Sequence, residues 1–359
     1  MKNIYPIIAL MLAVCTNGLY AQSERNGQAG ATQLLINSMP RSSAFNGLDI
    51  ASVDGIESSM VNPGGMARTT GTELMFGHTI WLQGSGIAVN SFGISQSLGG
   101  ESGTVGLLVN AFDLGEFVRT TEDNPDGTLG TFSPTYLNIG LTFARKFTDH
   151  IYVGTTVRVI SESDPSVNAT GVAFDAGIQY RTGERDRLKL GISLRNVGPK
   201  MQYAGDGLSF RVPVEPDNPY NSSSLLPAES FEIPATLSMG ASLDFFVGSD
   251  HTVTTMGSFI SNAFYQNQGG AGLAYQFKKI LVLRGSFLYE NGIFNDQLGD
   301  GRYNAHTGLA AGASLQVPFQ DGKLDASGYP SYSKLSLDFS YRSTNPFGGT
   351  YVIGARIDI

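Results

Sequence analysis

The tightest constraint on this chain is a hydrophobic period of two. Near the C-terminus Leu335, Leu337, Phe339 and Tyr341 alternate with Lys334, Ser336, Asp338, Ser340 and Arg342. The final segment repeats the pattern, with Tyr351, Ile353, Ala355, Ile357 and Ile359 set against Thr350, Arg356 and Asp358. Side chains of a strand point to opposite faces in turn, so each segment is apolar on one side and polar on the other. The same alternation runs through 137–143 and 236–245, and recurs at 172–180, 188–194, 271–277, 281–289 and 309–317. Less regular segments at 73–82, 87–98, 103–113, 151–160 and 252–261 bring the count to fourteen. The segment 87–98 is the weakest, because Asn90, Phe92 and Gln96 interrupt both phases. About ten residues is what a tilted strand needs to cross a bilayer, and single-chain bacterial barrels use an even number of strands.

The connections carry a second regularity. Those at 99–101, 148–150, 181–186, 248–250 and 278–279 are short, and those at 114–135, 197–232 and 291–305 are long. Short periplasmic turns opposite long external loops are the habit of outer-membrane barrels. The connection 318–333 breaks the rule, being long on the short-turn side. A secreted sandwich or propeller also has many short strands, but a propeller shows a fixed internal period and none is present. The fold expected is all-β: a transmembrane antiparallel β-barrel of about fourteen strands, spanning residues 72–359.

Composition agrees. The chain has 45 Gly, 21 Phe and 15 Tyr, but only 15% charged residues, where a soluble domain carries about 25%. Met1, Lys2 and an apolar run to Cys15, followed by Ala21 before a polar stretch, read as a signal peptide over 1–21 and an exported, outer-membrane protein. Cleavage there removes the one Cys. A net charge of −8 argues against nucleic acid as a partner; outer-membrane lipid is the partner expected.

Residues 22–71 precede the barrel, and 41–66 within them are rich in small residues and breakers. Glycine permits close backbone approach, and Asn62-Pro63-Gly64-Gly65 ends any regular element before the first strand. This segment is expected to plug the barrel, with Arg41, Asp54 and Glu57 pairing with charges in the lumen-facing phase. Those are Arg158, Asp175, Asp244, Arg284, Glu290, Asp338, Arg342, Arg356 and Asp358.

No catalytic constellation stands out. His150 and His251 follow Asp in short turns, His78 lies in the lipid-facing phase, and His306 begins a strand beside a long loop. No GxSxG motif occurs, and neither a cofactor motif nor zinc or copper spacing is present. Residues 122–126 and 295–300 offer acidic loops that calcium could use, although Asp, Asn and Gly are ordinary turn chemistry. Tyr203, Phe210, Tyr220, Leu225 and Leu226 in the longest loop suit a protein contact or a lid over the barrel mouth.

The opening Arg41-Ser-Ser-Ala-Phe-Asn-Gly47, then Asp54 and Glu57, then Asn62-Pro63-Gly64-Gly65-Met66-Ala67 resembles the start of the PorV/PorQ family of Bacteroidetes outer-membrane proteins, and the related FadL-like transporters. It departs at Phe45-Asn46, where the family has Met-Gly, and at Gly64, where it has Ala. The resemblance implies a FadL-like fourteen-stranded barrel with an N-terminal hatch and no enzymatic activity. Its PorV/PorQ branch implies an adaptor of type IX secretion that binds secreted cargo or other secretion proteins. Its FadL branch implies uptake of a hydrophobic ligand. The lumen phase holds mostly Gly, Ser, Thr, Asn and charges, with Tyr152, Val282 and Leu288 as apolar exceptions, which favours the adaptor.

Overall fold

The computed structural model describes residues 27–99, 102–121, 123–213, 221–295, 302, 304–324 and 330–359. The expected signal peptide, Tyr220, Glu122 and residues 296–300 of the acidic loops lie outside them.

Fourteen strands form one closed antiparallel barrel: β1 (Thr72–Trp81), β2 (Ile87–Ser97), β3 (Thr104–Asp113), β4 (Thr135–Lys146), β5 (Ile151–Ser163), β6 (Asn168–Thr182) and β7 (Leu188–Val197) make one half. The other half is β8 (Thr236–Val247), β9 (His251–Asn262), β10 (Gln268–Phe277), β11 (Leu281–Tyr289), β12 (His306–Leu324), β13 (Pro330–Thr344) and β14 (Thr350–Asp358). Each strand pairs with its successor, and β14 closes on β1 through Glu73↔Asp358 to Ile80↔Tyr351. Closure satisfies every edge, which a bilayer demands because it offers no hydrogen bonds of its own. The fourteen segments read from alternation are these fourteen strands.

The outward phase is apolar. Phe76, Phe92, Leu141, Ile178, Ile192, Leu273, Leu337 and Ile353 are among the large hydrophobic side chains left exposed around the wall. An exterior of this kind is the surface of a barrel that spans a membrane. The irregularity of β2 is local: His78 and Asn90 stand opposite each other on the outer face, with Nδ1 and Oδ1 2.8 Å apart. Two polar groups thereby satisfy one another where lipid could not.

Of the long connection expected at 318–333, residues 318–324 and 330–333 are instead strand, and 325–329 lie outside the described residues. β12 and β13 keep pairing out to Leu324↔Pro330, with register shifts after Pro318 and after Asp321. A ladder beyond the bilayer needs only its backbone hydrogen bonds, so nothing forces the residues there to alternate. The irregularity also accommodates Pro318, which has no N–H to give. Two external loops carry small hairpins, Phe117–Val118 with Thr131–Phe132 and Ser209–Pro213 with Asn221–Leu225.

Candidate functional site

The chain before β1 runs inside the barrel from the loop end to the turn end. At the loop end the Gly30 N–H donates to the Glu232 carbonyl at 3.1 Å. Ala31 and Leu34 pack there with Ile160, Ala169 and Ala173 of the wall and with Met201 and Ile233 of the β7–β8 loop. At the turn end the Ser97 N–H donates to the Gly71 carbonyl at 2.9 Å, and β1 begins. Between them lie two single helical turns, Pro40–Ser43 and Ser58–Val61, and a 3-10 stretch, Pro63–Arg68. The segment therefore runs through the lumen from one end of the barrel to the other.

Its charges chiefly lock the segment to itself. Arg41 Nε lies 3.0 Å from Glu57 Oε1 and Nη1 lies 3.1 Å from Asp54 Oδ1. Glu57 Oε2 accepts the Ser42 N–H at 3.1 Å, capping the turn of helix that begins at Pro40. The expected pairing of all three with the wall is thus corrected. Arg41 and Glu57 find each other first, since both are carried by the same folded segment. Only Asp54 reaches the wall, 3.9 Å from Arg356.

Neutral side chains do much of the docking. Asn46 adopts a φ of +54°, a conformation asparagine tolerates better than most residues. Its Nδ2 donates to Ser286 Oγ and to the Gly308 carbonyl, each at 3.0 Å, and its Oδ1 accepts Arg342 Nε at 2.9 Å. The departure noted at Phe45-Asn46 is thus a docking point. Asn62 Nδ2 bridges the Ile50 and Ile178 carbonyls at 2.9 and 3.0 Å, while Oδ1 accepts the Gly64 N–H. Gln179 Nε2 donates to the Val53 carbonyl at 2.9 Å, and Ser258 Oγ to the Leu48 carbonyl at 2.6 Å. Gln179 and Ser258 carry no motif, and only the phase of their strands marks them as inward.

Arg158 joins the plug to a buried ion pair. Its Nη2 lies 2.7 Å from Asp175 Oδ2 and 3.1 Å from the Ser59 carbonyl, and Asp175 Oδ1 accepts the Asn196 N–H at 2.6 Å. Asp244 pairs with Lys189 at 2.7 Å. Arg284 and Asp338 both bond Ser314 Oγ. Arg356 lies 3.6 Å from Glu73 and 3.5 Å from Asp358. Glu290 accepts Gln268 Nε2 at 2.8 Å. In the long loop Tyr203 is half-buried, bonded to Glu162 and packed at a tilt against the Phe231 ring, so it belongs to the roof of the barrel rather than to an exposed face. Phe210, Leu225 and Leu226 on its hairpin are exposed. Among the described residues no group of three acidic, His or Cys side chains is placed to hold a metal ion.

A cavity of about 340 Å³ remains between the plug and the loop-side half of the wall. The plug lines it with Leu34, Leu35, Ile36, Ile50, Met60 and Val61, and the wall with Trp81, Ile260 and Leu288. Polar lining comes from Thr32, Asn37 and Asn46 of the plug and, across from it, from Arg195, Thr236, Ser238, Asn262, Gln266, Gln268, Glu290, Asn304, His306 and Arg342. The interior is thus more apolar than the lumen phase suggests. Met75, Val89, Leu108, Phe112, Met256 and Ile260 also point inward and are buried. Arg195 escaped the sequence reading because it follows the last residue of the segment 188–194. Arg195 continues the inward phase of Lys189, Gly191 and Ser193, and a bulge opposite Phe174 and Ala176, with Asn196 at a φ of +58°, turns Asn196 away from lipid as well.

No protein-family model matches the chain, and no curated protein matches it. Solved structures do. The monoaromatic hydrocarbon channel CymD superposes with a TM-score of 0.51 at 14% identity, covering 90% of this chain and 97% of its own. A deltaS2S3 mutant of the monoaromatic hydrocarbon channel TodX gives 0.54 at 14%, covering 89% and 97%. The Pseudomonas putida toluene transporter TodX gives 0.50 at 14%, covering 86% and 94%. The barrel shares its fold with these channels. None of these three neighbours is described as a secretion component, and the secretion-adaptor expectation has no support among them.

Proposed function

We propose that the protein is a non-enzymatic outer-membrane transporter that admits small hydrophobic molecules through a plugged, FadL-like barrel. The observation that carries this reading is the cavity itself. It lies inside a membrane-spanning wall, joins an apolar surface from Leu34, Leu35, Ile36, Ile50, Met60 and Val61 to a polar one from the wall, and is bounded on one side by a segment that is not part of the wall. Small-ligand sites are concave and combine apolar surface with placed polar groups, and this one combines both, with more polar groups than most. The neighbours that share the fold are named as channels for toluene and other monoaromatic hydrocarbons, which supports the same class of cargo here. The residues Arg41, Gly47, Asp54, Glu57 and 62–66 then act as the hatch, and displacement of that hatch opens the path.

The test uses the purified barrel in vesicles whose outer leaflet is lipopolysaccharide, a layer that slows hydrophobic solutes. Toluene entry is expected to rise with the protein while glucose entry does not. Toluene entry equal to that of protein-free vesicles, across a panel of hydrocarbons, refutes the proposal. Co-purification of secreted proteins with the barrel, in place of such uptake, would restore the adaptor.

A further inference from the structure

The turn between β10 and β11 is built against its own backbone preference. The Ile280 N–H donates to the Phe277 carbonyl at 2.9 Å, and the two residues between them, Lys278 and Lys279, both lie in the left-handed region, with φ of +50° and +57°. A tight turn with two left-handed residues favours Asn-Gly, because a longer side chain at either position costs stability. The chain places two exposed lysines there instead. Residues kept in an unfavoured conformation cluster where function needs them.

Beneath the lysines lies a platform of rings on the outer face of the wall. Tyr275 and Phe277 continue the outward phase of the exposed Leu273 on β10, and His251 stands opposite Phe277 on β9. The His251 ring lies 5.1 Å from that of Phe277 and 5.9 Å from that of Tyr275, with Nδ1 2.7 Å from the Tyr275 hydroxyl. Lys278 Nζ stands 5.3 Å from the centre of the Phe277 ring. Val247 on β8 and Leu281 on β11, both exposed, extend the same row. Rings with polar tips collect where lipid headgroups meet acyl chains. Short turns of an outer-membrane barrel are on its periplasmic side, so the leaflet met here is phospholipid. Asp250, whose carbonyl accepts the Lys278 N–H at 2.8 Å, is the one acid in the turns 248–250 and 278–280, and the two turns together are net positive.

We infer that Lys278 and Lys279, on the platform of Phe277, His251 and Tyr275, form a binding site for an anionic phospholipid. The two ammonium groups take the negative headgroup, and the rings with Val247 and Leu281 take the start of its acyl chains. A zwitterionic headgroup brings an ammonium of its own toward the lysines and gains less. Each lysine at an anionic lipid surface adds about fivefold in affinity, so a net-negative phospholipid should be preferred here by about tenfold over a zwitterionic one. The site does not depend on what the barrel transports.

The full-length barrel supplies a local reporter once Trp81→Phe removes its one tryptophan and Ile280→Trp places another beside the lysines. In phosphatidylcholine vesicles, brominated phosphatidylglycerol and brominated phosphatidylethanolamine are added in turn, and quenching of the emission from position 280 gives the relative affinity of each. Phosphatidylglycerol is expected to quench at about a tenth of the mole fraction. Lys278→Asn with Lys279→Gly removes both charges and gives the turn its favoured residues. That variant should be at least as stable in denaturant, yet lose the preference. Lys200→Gln at the loop end should leave the preference in place. Equal quenching by the two lipids overturns the inference. A preference that survives in the Asn-Gly variant overturns it as well, because other groups then hold the headgroup. So does a preference that Lys200→Gln also abolishes, because overall charge then sets it.

Discussion

Gly154→Ala on β5 tests how the plug is held. A methyl group there would overlap the Pro63 carbonyl and stand 2.8 Å from the Gly64 nitrogen. Both are backbone atoms of the plug and cannot swing aside as a side chain would. The strand itself accepts alanine, since Gly154 pairs regularly with Ala144 and Gly177. The substitution therefore pushes on the plug without altering the plug or the ladder. Overpacking of this kind costs about 1–3 kcal/mol. Against it stand nine apolar side chains of the plug, Met39, Phe45, Leu48, Ile50, Val53, Ile56, Met60, Val61 and Met66, each no more than 5% exposed. At about 1.5 kcal/mol or more apiece their burial exceeds roughly 10 kcal/mol. The larger quantity wins, so the plug should shift near Pro63 and stay in the lumen. Denaturation of the folded barrel should show a loss of about 1–3 kcal/mol, and planar-bilayer recordings should show no large open channel. A wide-open pore with the plug exposed to protease would refute the reasoning, because the plug would then be held far more weakly than its burial implies. An unchanged stability would show that Pro63 does not approach β5 so closely.

Three further outcomes follow from the same geometry. Burial pushes the Asp49 carboxyl up from 3.8 to about 6, against the Ser42 hydroxyl that donates to it at 2.6 Å. The folded protein then holds that proton more tightly than the unfolded chain, so its stability falls as pH rises from about 4 to about 6, by about 3 kcal/mol in all. Asp49→Asn keeps the acceptor and removes the charge; it should abolish that slope in protease protection of the plug, and an unchanged slope would exclude Asp49 as its source. Arg158→Met leaves Asp175 charged and without its cation in the interior and should cost about 3–5 kcal/mol, partly recovered by adding Asp175→Asn; full stability of the single variant in denaturant would contradict the burial of the pair. Leu141→Arg, on the outer face of β4, should cost about 2–4 kcal/mol when the barrel folds into lipid, whereas Phe210→Arg in the external hairpin should cost nothing measurable. Equal effects would mean that the apolar exterior does not meet lipid.

The barrel was legible because a membrane wall imposes two environments at a spacing of one residue, and alternation is the direct imprint of that. Where the imprint is absent the reading failed. Residues 318–324 and 330–333 do not alternate, and so look like a loop although they pair as strand. The plug could be located as a break in the pattern, but its internal order could not be read, because single helical turns impose no period. Arg41 and Glu57 lie 16 residues apart in sequence and meet only through that irregular path. The cavity was the least visible part. Its residues come from the plug and from four or more strands, and none of them forms a motif.

One misreading has a physical lesson. Inward positions rich in glycine look like a polar lumen, yet here they mark where the plug presses against the wall. A Cβ on Gly93 would stand 2.6 Å from Ile56, on Gly106 2.6 Å from Met66, on Gly270 2.7 Å from Leu48 and on Gly312 2.6 Å from Ala44. On Gly177 and Gly354 it would overlap Asn62 and Pro40. The outward Gly257 and Gly285 have no such neighbour, the nearest atom standing 3.8 Å and 4.0 Å away. The wall gives up volume at these inward sites so that an apolar segment can occupy it, and the apolar interior is shared between the plug and inward strand residues such as Met75, Leu108 and Met256. No such plug-facing glycine comes from β4, β8, β9, β11 or β13. On four of these, β8, β9, β11 and β13, inward positions carry Thr236, Ser238, Ile260, Leu288 and Arg342, and the cavity opens against them. Side chains there hold the wall away from the plug, and that separation is the space left for a ligand.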